Sequence, residues 1–236
     1  MNTSKQQNVL TSAAANTPLQ RELNALMVQA GSHLPEDLLR QVQSPIEELI
    51  TSGAAQRALK VGDPAPDFTL PEASGHWVRL SHLLQRGPVV IAFYRGAWCP
   101  YCNLQLHAYQ QTLPQFQALG ASLLAISPQT PDQSLQLSEK QSLTYPVLSD
   151  VGNHVARRFG LVFQIAQAVR AAYQQVGADL PAYNGDASWE LPMPGTFLLD
   201  AAGIVRLAFI DPNFIHRLDP SLIIEQLKHE LSLREK

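Results

Sequence analysis

The stretch GPVVIAFYRGAWCPYCNLQL, residues 87–106, decides the fold of this chain. Val89–Tyr94 is an apolar run of β-branched and aromatic residues, which is typical of a buried parallel strand. After a short turn, Cys99 and Cys102 stand where the next helix should begin, and the fixed φ of Pro100 suits a first helical turn. A Cys-x-x-Cys that follows a strand and opens a helix favours redox chemistry.

The place of Cys99 at the start of that helix predicts that it is the more reactive thiol. Unpaired backbone N–H groups and the positive end of the helix dipole favour a thiolate there, and the thiolate is the reactive form of cysteine. Cys102 follows one turn further in, close enough to resolve a mixed disulfide. We therefore predict a lowered pKa for Cys99 and not for Cys102.

Two other interpretations of the cysteine pair are open, a zinc half-site and two inert buried thiols. Structural zinc usually needs four protein ligands, yet the chain has no second Cys-x-x-Cys, and its seven histidines contain no H-x3-5-H pair. The neighbours Trp98 and Tyr101, which look exposed, argue against inert thiols. We expect redox-active thiols, with no metal and no cofactor.

Composition excludes several classes of protein. The 236 residues suit one domain with an extension, and 45% hydrophobic residues are enough for a sizeable core. A formal net charge of -3 without any Lys or Arg block argues against a nucleic-acid partner. No run reaches membrane-span length, and two cysteines in one motif do not form a secreted disulfide framework. We expect a cytoplasmic protein.

The chain divides into three regions. Residues 1–17 are small and polar and are expected to be disordered. Residues 18–59 are predicted to be a helical extension, with later helices over Pro35–Val42 and Pro45–Leu59. The extension is either a cap on the main domain or a dimerisation arm. We favour the cap because surface helices normally bury an apolar stripe on their own domain, and a homodimer stays possible.

Residues 60–236 show strands alternating with helices, which predicts a three-layer α/β domain. The predicted strands and the closing helix are Asp67–Leu70, Trp77–Leu80, Val89–Tyr94, Ser122–Ser127, Pro146–Leu148, the hairpin Thr196–Asp200 with Ile204–Ile210, and the helix Pro220–Leu233.

A second signal is the segment Met193-Pro194-Gly195-Thr196. A proline directly before an apolar strand is sometimes cis, and cis-proline usually marks a tight turn. Taken alone, the cis and trans interpretations are nearly even, and the upstream Cys-x-x-Cys favours cis. We predict that Pro194 is cis and lies against the cysteine pair.

These segments resemble the thioredoxin superfamily. More closely, VGDPAPDFTLPEASG, VVIAFYRGAWCPYCNLQL, YPVLSDVGNHVARRFGL and PGTFLLDAAGIV resemble the peroxiredoxin-like branch of the alkyl hydroperoxide reductase/thiol-specific antioxidant (AhpC/TSA) family, over about residues 60–235. The resemblance implies a thioredoxin-like α/β/α fold and antioxidant thiol chemistry in the cytoplasm. It also implies that Cys99 attacks, that Cys102 is its partner, and that Pro194 is the cis-proline beside them.

The chain departs from the family pattern Pro-x-x-x-Thr-x-x-Cys. Counted back from Cys99, the threonine position is Gly96 and the proline position is Ala92, so the hydroxyl that orients a bound peroxide is missing. Where the family places an arginine near the start of the late strand, this chain has Pro194. Arg95 is a candidate source of positive charge at the site.

Thioredoxin differs as well, because its buried aspartate, six residues before the first cysteine, is Phe93 here. Trp98, beside Cys99, is a further candidate supporting residue.

Two enzymatic hypotheses follow, both starting from a Cys99 thiolate. In the first, it attacks a hydroperoxide, Cys102 condenses with the sulfenic acid, and thioredoxin or a similar dithiol protein reduces the disulfide. In the second, Cys99 attacks a disulfide of a protein or small thiol, and Cys102 releases the mixed disulfide. A non-enzymatic binding module is the weakest interpretation because both cysteines are present. We favour the peroxidase.

Overall fold

The computed structural model describes residues 12–72 and 74–234. The strands are β1 (Thr69–Pro71), β2 (Trp77–Arg79), β3 (Val89–Phe93), β4 (Ser122–Ser127), β5 (Val147–Ser149), β6 (Val162–Gln164), β7 (Glu190–Pro192), β8 (Gly195–Leu199) and β9 (Val205–Ile210). The helices are α1 (Pro18–His33), α2 (Glu36–Thr51), α3 (Leu80–Leu84), α4 (Pro100–Ala118), α5 (Pro131–Gln141), α6 (His154–Arg158), α7 (Arg170–Gln175), α8 (Leu180–Asn184) and α9 (Pro220–Arg234), with 3-10 turns at Ala54–Arg57 and Gln167–Val169.

The centre of the fold is a five-stranded sheet with the order β5-β4-β3-β8-β9. β3 runs parallel to β4 and antiparallel to β8, and all of its residues are buried. A strand that is covered on both faces needs apolar residues at successive positions, which explains the continuous run Val89–Phe93. The predicted strand before the cysteines is therefore confirmed.

Two apolar cores lie on opposite faces of this sheet. One core contains Leu23 of α1, Tyr109 of α4 and Ile223 of α9, which pack on Val90 and Ala92 of β3. The other core contains, among others, Leu49, Phe68, Phe93, Phe159 and Val205. The predicted three-layer α/β/α arrangement is confirmed.

The first helix of the extension packs on the main domain. Thr17 is its N-cap and accepts a hydrogen bond from the Gln20 N–H, and Leu19 and Leu23 are buried in the first core. Ala14 is also buried, within a helical turn at residues 12–14. Residues 1–11 lie outside the described residues, so disorder there stays a prediction.

The expected break between two helices at residues 42–45 does not occur, because α2 is continuous from Glu36 to Thr51 with Pro45 inside it. Proline cannot donate to the carbonyl four residues earlier, Gln41. The Ser44 hydroxyl donates to that carbonyl instead, at 3.0 Å. The helix therefore tolerates Pro45.

The prediction of a cis-proline at residue 194 is wrong. None of the described peptide bonds is cis, so the Met193–Pro194 bond is trans. β7 ends at Pro192, the Met193 N–H donates to the Leu161 carbonyl at 2.8 Å, and β8 begins at Gly195. The chain thus passes from one extended strand into the next without the tight turn that a cis-proline usually serves.

Pro194 nevertheless lies beside the end of β3, the strand that precedes the cysteine motif. Gly195 pairs with Phe93, the last residue of β3, and Pro194 directly precedes that pair and is buried. Within the described part of the chain, no helix is both long and apolar enough to cross a membrane.

Candidate active site

The two cysteines lie at the start of α4, as predicted, but both are buried. Cys99 is the N-cap of the helix, Pro100 is its first residue, and Cys102 is in the first turn. Both cysteines are free thiols, with Cys99 1% exposed and Cys102 fully buried. Tyr101, which looked exposed from the sequence, is buried as well. A molecule that reacts with these sulfurs must therefore reach a closed site.

Cys102 has the more strongly hydrogen-bonded sulfur of the pair. Its Sγ accepts a hydrogen bond from the Arg95 backbone N–H at 3.4 Å and another from Arg217 Nη2 at 3.4 Å. Cys99 lies near one guanidinium, with Arg95 Nη1 3.9 Å from its Sγ. Hydrogen bonds to the ionised form favour ionisation, so this arrangement favours a thiolate at Cys102.

Arg217 is held rigidly. It is 1% exposed, Nη1 donates to Gln105 Oε1 at 2.9 Å, and Nε donates to the Phe214 carbonyl at 2.8 Å. No pattern in the sequence points to this residue. A single arginine in the loop before α9 carries no local signal, since it is 115 positions away from Cys102 in the chain.

Arg95 faces the site, and its guanidinium lies in an aromatic box. Its Cζ is 4.1 Å from the ring centroid of Phe214, 4.8 Å from that of Trp98 and 5.7 Å from that of Tyr173. Nη2 donates to the Tyr173 hydroxyl at 2.9 Å. Ring faces attract a cation without neutralising it, so Arg95 keeps a positive charge available to the sulfurs.

The turn that positions Arg95 and Trp98 depends on glycine. Gly96 has φ +151°, and a Cβ at this position would lie 2.4 Å from the Trp98 indole nitrogen. The next N–H, from Ala97, donates to the buried Gln129 side chain at 2.8 Å. The absence of a side chain at Gly96 lets the indole reach its place in the box around Arg95.

The two guanidiniums leave the sulfurs as their anionic partners. Among the ion pairs of the described residues, neither Arg95 nor Arg217 pairs with a carboxylate. In the same part of the chain, no three His, Cys, Asp or Glu side chains are grouped so that they could hold a metal ion. Two buried cations without a carboxylate partner favour an anion between them, so the site favours a thiolate.

The pKa values of the pair reverse the expectation from the sequence. Burial raises the pKa of Cys99 well above its usual value, and the hydrogen bond that its thiol gives to Cys102 raises it further. Burial also acts to raise the pKa of Cys102, but the hydrogen bond from Cys99 and the charges of Arg217 and Arg95 lower it well below the usual value.

The predicted lowering of the Cys99 pKa is therefore wrong. As the N-cap residue, Cys99 makes no side-chain hydrogen bond to the free N–H groups of the helix. The helix terminus thus gives the Cys99 sulfur no direct donor, whereas the Cys102 sulfur accepts hydrogen bonds from Arg95 and Arg217.

The sequence and the fold agree with those of known proteins. Residues 61–208 match the model of the AhpC/TSA family. A Mycobacterium tuberculosis protein that carries a peroxiredoxin name is 36% identical over 103 residues, 44% of this chain and 67% of that protein. Peroxiredoxin Bcp of Escherichia coli is 33% identical over 103 residues, 44% of this chain and 65% of Bcp.

A crystal structure gives the same result. Peroxidoxin BcpB from Mycobacterium tuberculosis matches with a TM-score of 0.59 and 26% identity, covering 72% of this chain and 97% of that protein. The three-layer domain is therefore the thioredoxin-like fold of the peroxiredoxins. Because the family model covers more than half of the chain, including both cysteines, this chain belongs to the AhpC/TSA family.

Proposed function

We propose that this chain is a thiol-dependent peroxidase whose Cys99–Cys102 pair reduces hydroperoxides and is recycled by a dithiol protein. Family membership supports the reaction class, since the relatives are named peroxiredoxins. The single observation that carries the proposal is the pair of hydrogen bonds on Cys102 Sγ from Arg95 and Arg217. These donors stabilise the thiolate that attacks the oxygen–oxygen bond.

We infer that Cys102 attacks and Cys99 resolves, the reverse of the roles expected from the sequence. This assignment also changes how the family pattern fits the chain. Counted back from Cys102, the threonine position is Cys99 and the proline position is Arg95. Both positions then carry groups that contact the site, and the Cys99 thiol takes the place of the hydroxyl that was missing when Cys99 itself was counted as the attacking residue.

The reaction has three steps. The Cys102 thiolate attacks the terminal oxygen of ROOH, the O–O bond breaks, and the products are a sulfenic acid at Cys102 and an alkoxide that takes up a proton to become ROH. The Cys99 sulfur then attacks the Cys102 sulfur, water leaves, and a disulfide forms. An external dithiol reduces this disulfide and is itself oxidised to a disulfide.

The guanidiniums contribute to the first step beyond forming the thiolate. Negative charge moves from the Cys102 sulfur to the leaving alkoxide during the attack. Arg217 and Arg95 are fixed and buried, so they stabilise that developing charge without reorganising.

Disulfide exchange is the competing activity. A folded protein that carries a disulfide must bring it in line with the attacking sulfur, but here both sulfurs are buried. A small hydroperoxide fits a closed site better. We propose thioredoxin or a similar dithiol protein as the reductant, which meets the oxidised protein and not the closed reduced site. We propose the reducing cytoplasm as the setting, because the cycle needs a steady supply of electrons. Homodimerisation stays a prediction.

A stopped-flow experiment separates the two activities. The reduced protein is mixed with hydrogen peroxide, with tert-butyl hydroperoxide or with oxidised dithiothreitol, and the Cys99→Ser/Cys102→Ser double variant gives the background. We expect faster oxidation by at least one hydroperoxide than by the disulfide. If the protein consumes hydroperoxides no faster than free dithiothreitol at equal concentration, the peroxidase proposal is wrong and disulfide exchange replaces it.

A further inference from the structure

The first helix of the extension is hydrogen-bonded to the loop that carries Arg217. Gln20 of α1 is 3% exposed, its Oε1 accepts a hydrogen bond from the Arg217 backbone N–H at 3.3 Å, and its Nε2 donates to the Ile215 carbonyl at 3.4 Å. The Leu19 N–H donates to Asp219 Oδ2 at 3.1 Å. These hydrogen bonds involve Arg217 itself and the residues two positions before and after it. The α1 helix therefore holds the backbone of this loop in place.

The second helix of the extension is hydrogen-bonded to Tyr173, the residue that anchors the Arg95 guanidinium. The buried Tyr173 hydroxyl donates to the Val42 carbonyl of α2 at 3.2 Å and accepts from Arg95 Nη2 at 2.9 Å. This hydroxyl therefore uses its single proton on the extension and its lone pair on the guanidinium. Each helix of the extension thus reaches one of the two arginines through a single buried side chain.

We propose that the helical extension is part of the redox centre, with Gln20 positioning Arg217 and α2, through Tyr173, positioning Arg95. This inference rests on the proposed function in one respect only: a benefit to catalysis requires that the chain is a peroxidase. The hydrogen bonds from the extension position the two guanidinium groups whether or not the chain is a peroxidase. A cap that merely covered the sheet would need an apolar stripe, and α1 provides one with Leu19 and Leu23. A buried glutamine bonded to the arginine loop is not required for that purpose.

The distances explain why positioning matters. Neither guanidinium is paired with a carboxylate, so hydrogen bonds from neutral groups help to fix their distance from the sulfurs. At an effective dielectric constant of about 20, moving a charge from about 4 to about 6 Å weakens the attraction enough to raise the pKa of the thiol by about one unit. A small displacement of the Arg217 loop therefore changes how much Cys102 is ionised.

The test compares Gln20→Met with the control Gln29→Met in the full-length reduced protein. Methionine keeps the volume of glutamine but removes its hydrogen bonds, and Gln29 is an exposed glutamine on the same helix. Iodoacetamide labelling of Cys102, quantified by peptide mass spectrometry from pH 4 to 9, gives the midpoint of its ionisation. We expect Gln20→Met to raise this midpoint. At pH values below the midpoints of both the wild type and the variant, labelling of the variant should be roughly tenfold slower. Gln29→Met should match the wild type.

The link through α2 is tested in the same way with Tyr173→Phe, against the half-buried Tyr183→Phe as control. Removing the Tyr173 hydroxyl should also raise the Cys102 midpoint, because the Arg95 guanidinium loses its anchor. Gln20→Asn, which keeps both functional groups on a shorter side chain, should shift the midpoint in the same direction by less than Gln20→Met.

An unchanged Cys102 midpoint in folded Gln20→Met protein would overturn the proposal, even if its melting temperature fell. If Gln20→Met does not fold, an unchanged midpoint in Gln20→Asn has the same consequence. Labelling needs no hydroperoxide, so these outcomes are independent of whether the chain is a peroxidase. A shifted midpoint with no peroxide consumption in the wild type would leave the positioning role intact and remove only the proposed function.

Discussion

The Arg217 guanidinium donates to the Cys102 sulfur across 3.4 Å, although 115 positions separate the two residues. The family pattern has an arginine near the start of the late strand, where this chain has Pro194. The loop before α9 supplies the buried cation instead. The chain thus has an arginine at the sulfur, but from a different segment than expected, and this contact has consequences that can be measured.

Replacing Arg217 should weaken the Cys102 thiolate. In Arg217→Met the sulfur loses a charged donor, so we expect its pKa to rise and its labelling and peroxide reaction at neutral pH to slow by about 10–100-fold. Because the substitution removes one partner of a buried ion pair, it also costs stability, so the rates are compared after circular dichroism has shown that the variant is folded. Arg86→Met, at an exposed position, is the control. Equal rates in wild type and Arg217→Met would contradict the role given to Arg217.

The two single cysteine variants should fail differently. Cys102→Ser should show no peroxide consumption above background, because serine is a very weak nucleophile without an adjacent base. Cys99→Ser should consume about one equivalent in a single burst and then stop, with oxygen added to Cys102 by mass spectrometry. The reverse pattern, with the burst in Cys102→Ser, would restore the roles predicted from the sequence.

Oxidation to the disulfide should destabilise the fold. A crosslink closing a loop of only four residues stabilises by about 2 kcal/mol in the chain-entropy model. Removing one partner of a buried ion pair costs about 3–5 kcal/mol, and the disulfide removes the anion that faces Arg95 and Arg217. The second effect is larger. Urea unfolding should therefore show an oxidised protein less stable than the reduced protein by about 1–3 kcal/mol.

Loss of the Cys102 thiolate on oxidation would also open the closed site to the reductant. Amide hydrogen exchange near Arg217 should therefore be faster in the oxidised protein. An oxidised protein that is more stable than the reduced form, with unchanged exchange, would show that the guanidiniums do not depend on the thiolate.

The stability of the reduced protein should depend on pH through Cys102. Its folded pKa lies below the unfolded value of about 8.5, so its ionisation stabilises the fold fully above that value. This contribution is lost as the pH falls through the folded pKa. The raised pKa of Cys99 acts in the opposite sense, and only as the pH rises past about 8.5.

Measurements between pH 5 and 8 therefore isolate Cys102. The difference in free energy of unfolding between wild type and Cys102→Ser should shrink as the pH is lowered across this range, with a reductant present. Groups that titrate in both proteins, such as His216, cancel in the comparison. A difference that stays constant from pH 8 to pH 5 would show that folding does not lower the pKa of Cys102, and one that grows would show that folding raises it; either result would contradict the assignment.

The sequence by itself determined the layers of the fold and the place of the cysteine pair. Val89–Phe93 is apolar at every position because β3 is covered on both faces, and such a continuous apolar run is visible within a few residues. The same local logic predicted the start of α4 from Pro100 and the hairpin of β8 and β9 from its turn at residues 200–204. These features depend on neighbours along the chain.

The tertiary structure alone decided which sulfur is stabilised as a thiolate. The helix terminus pointed to Cys99, but electrostatic stabilisation depends on distance in space, and the donors that reach Cys102 come from Arg95 and from the distant Arg217. The trans bond before Pro194 was also beyond local reasoning, because the extended path from β7 to β8 determines it. The role of the extension depends on one buried hydrogen-bonding side chain, Gln20, which the apolar pattern of its helix does not reveal.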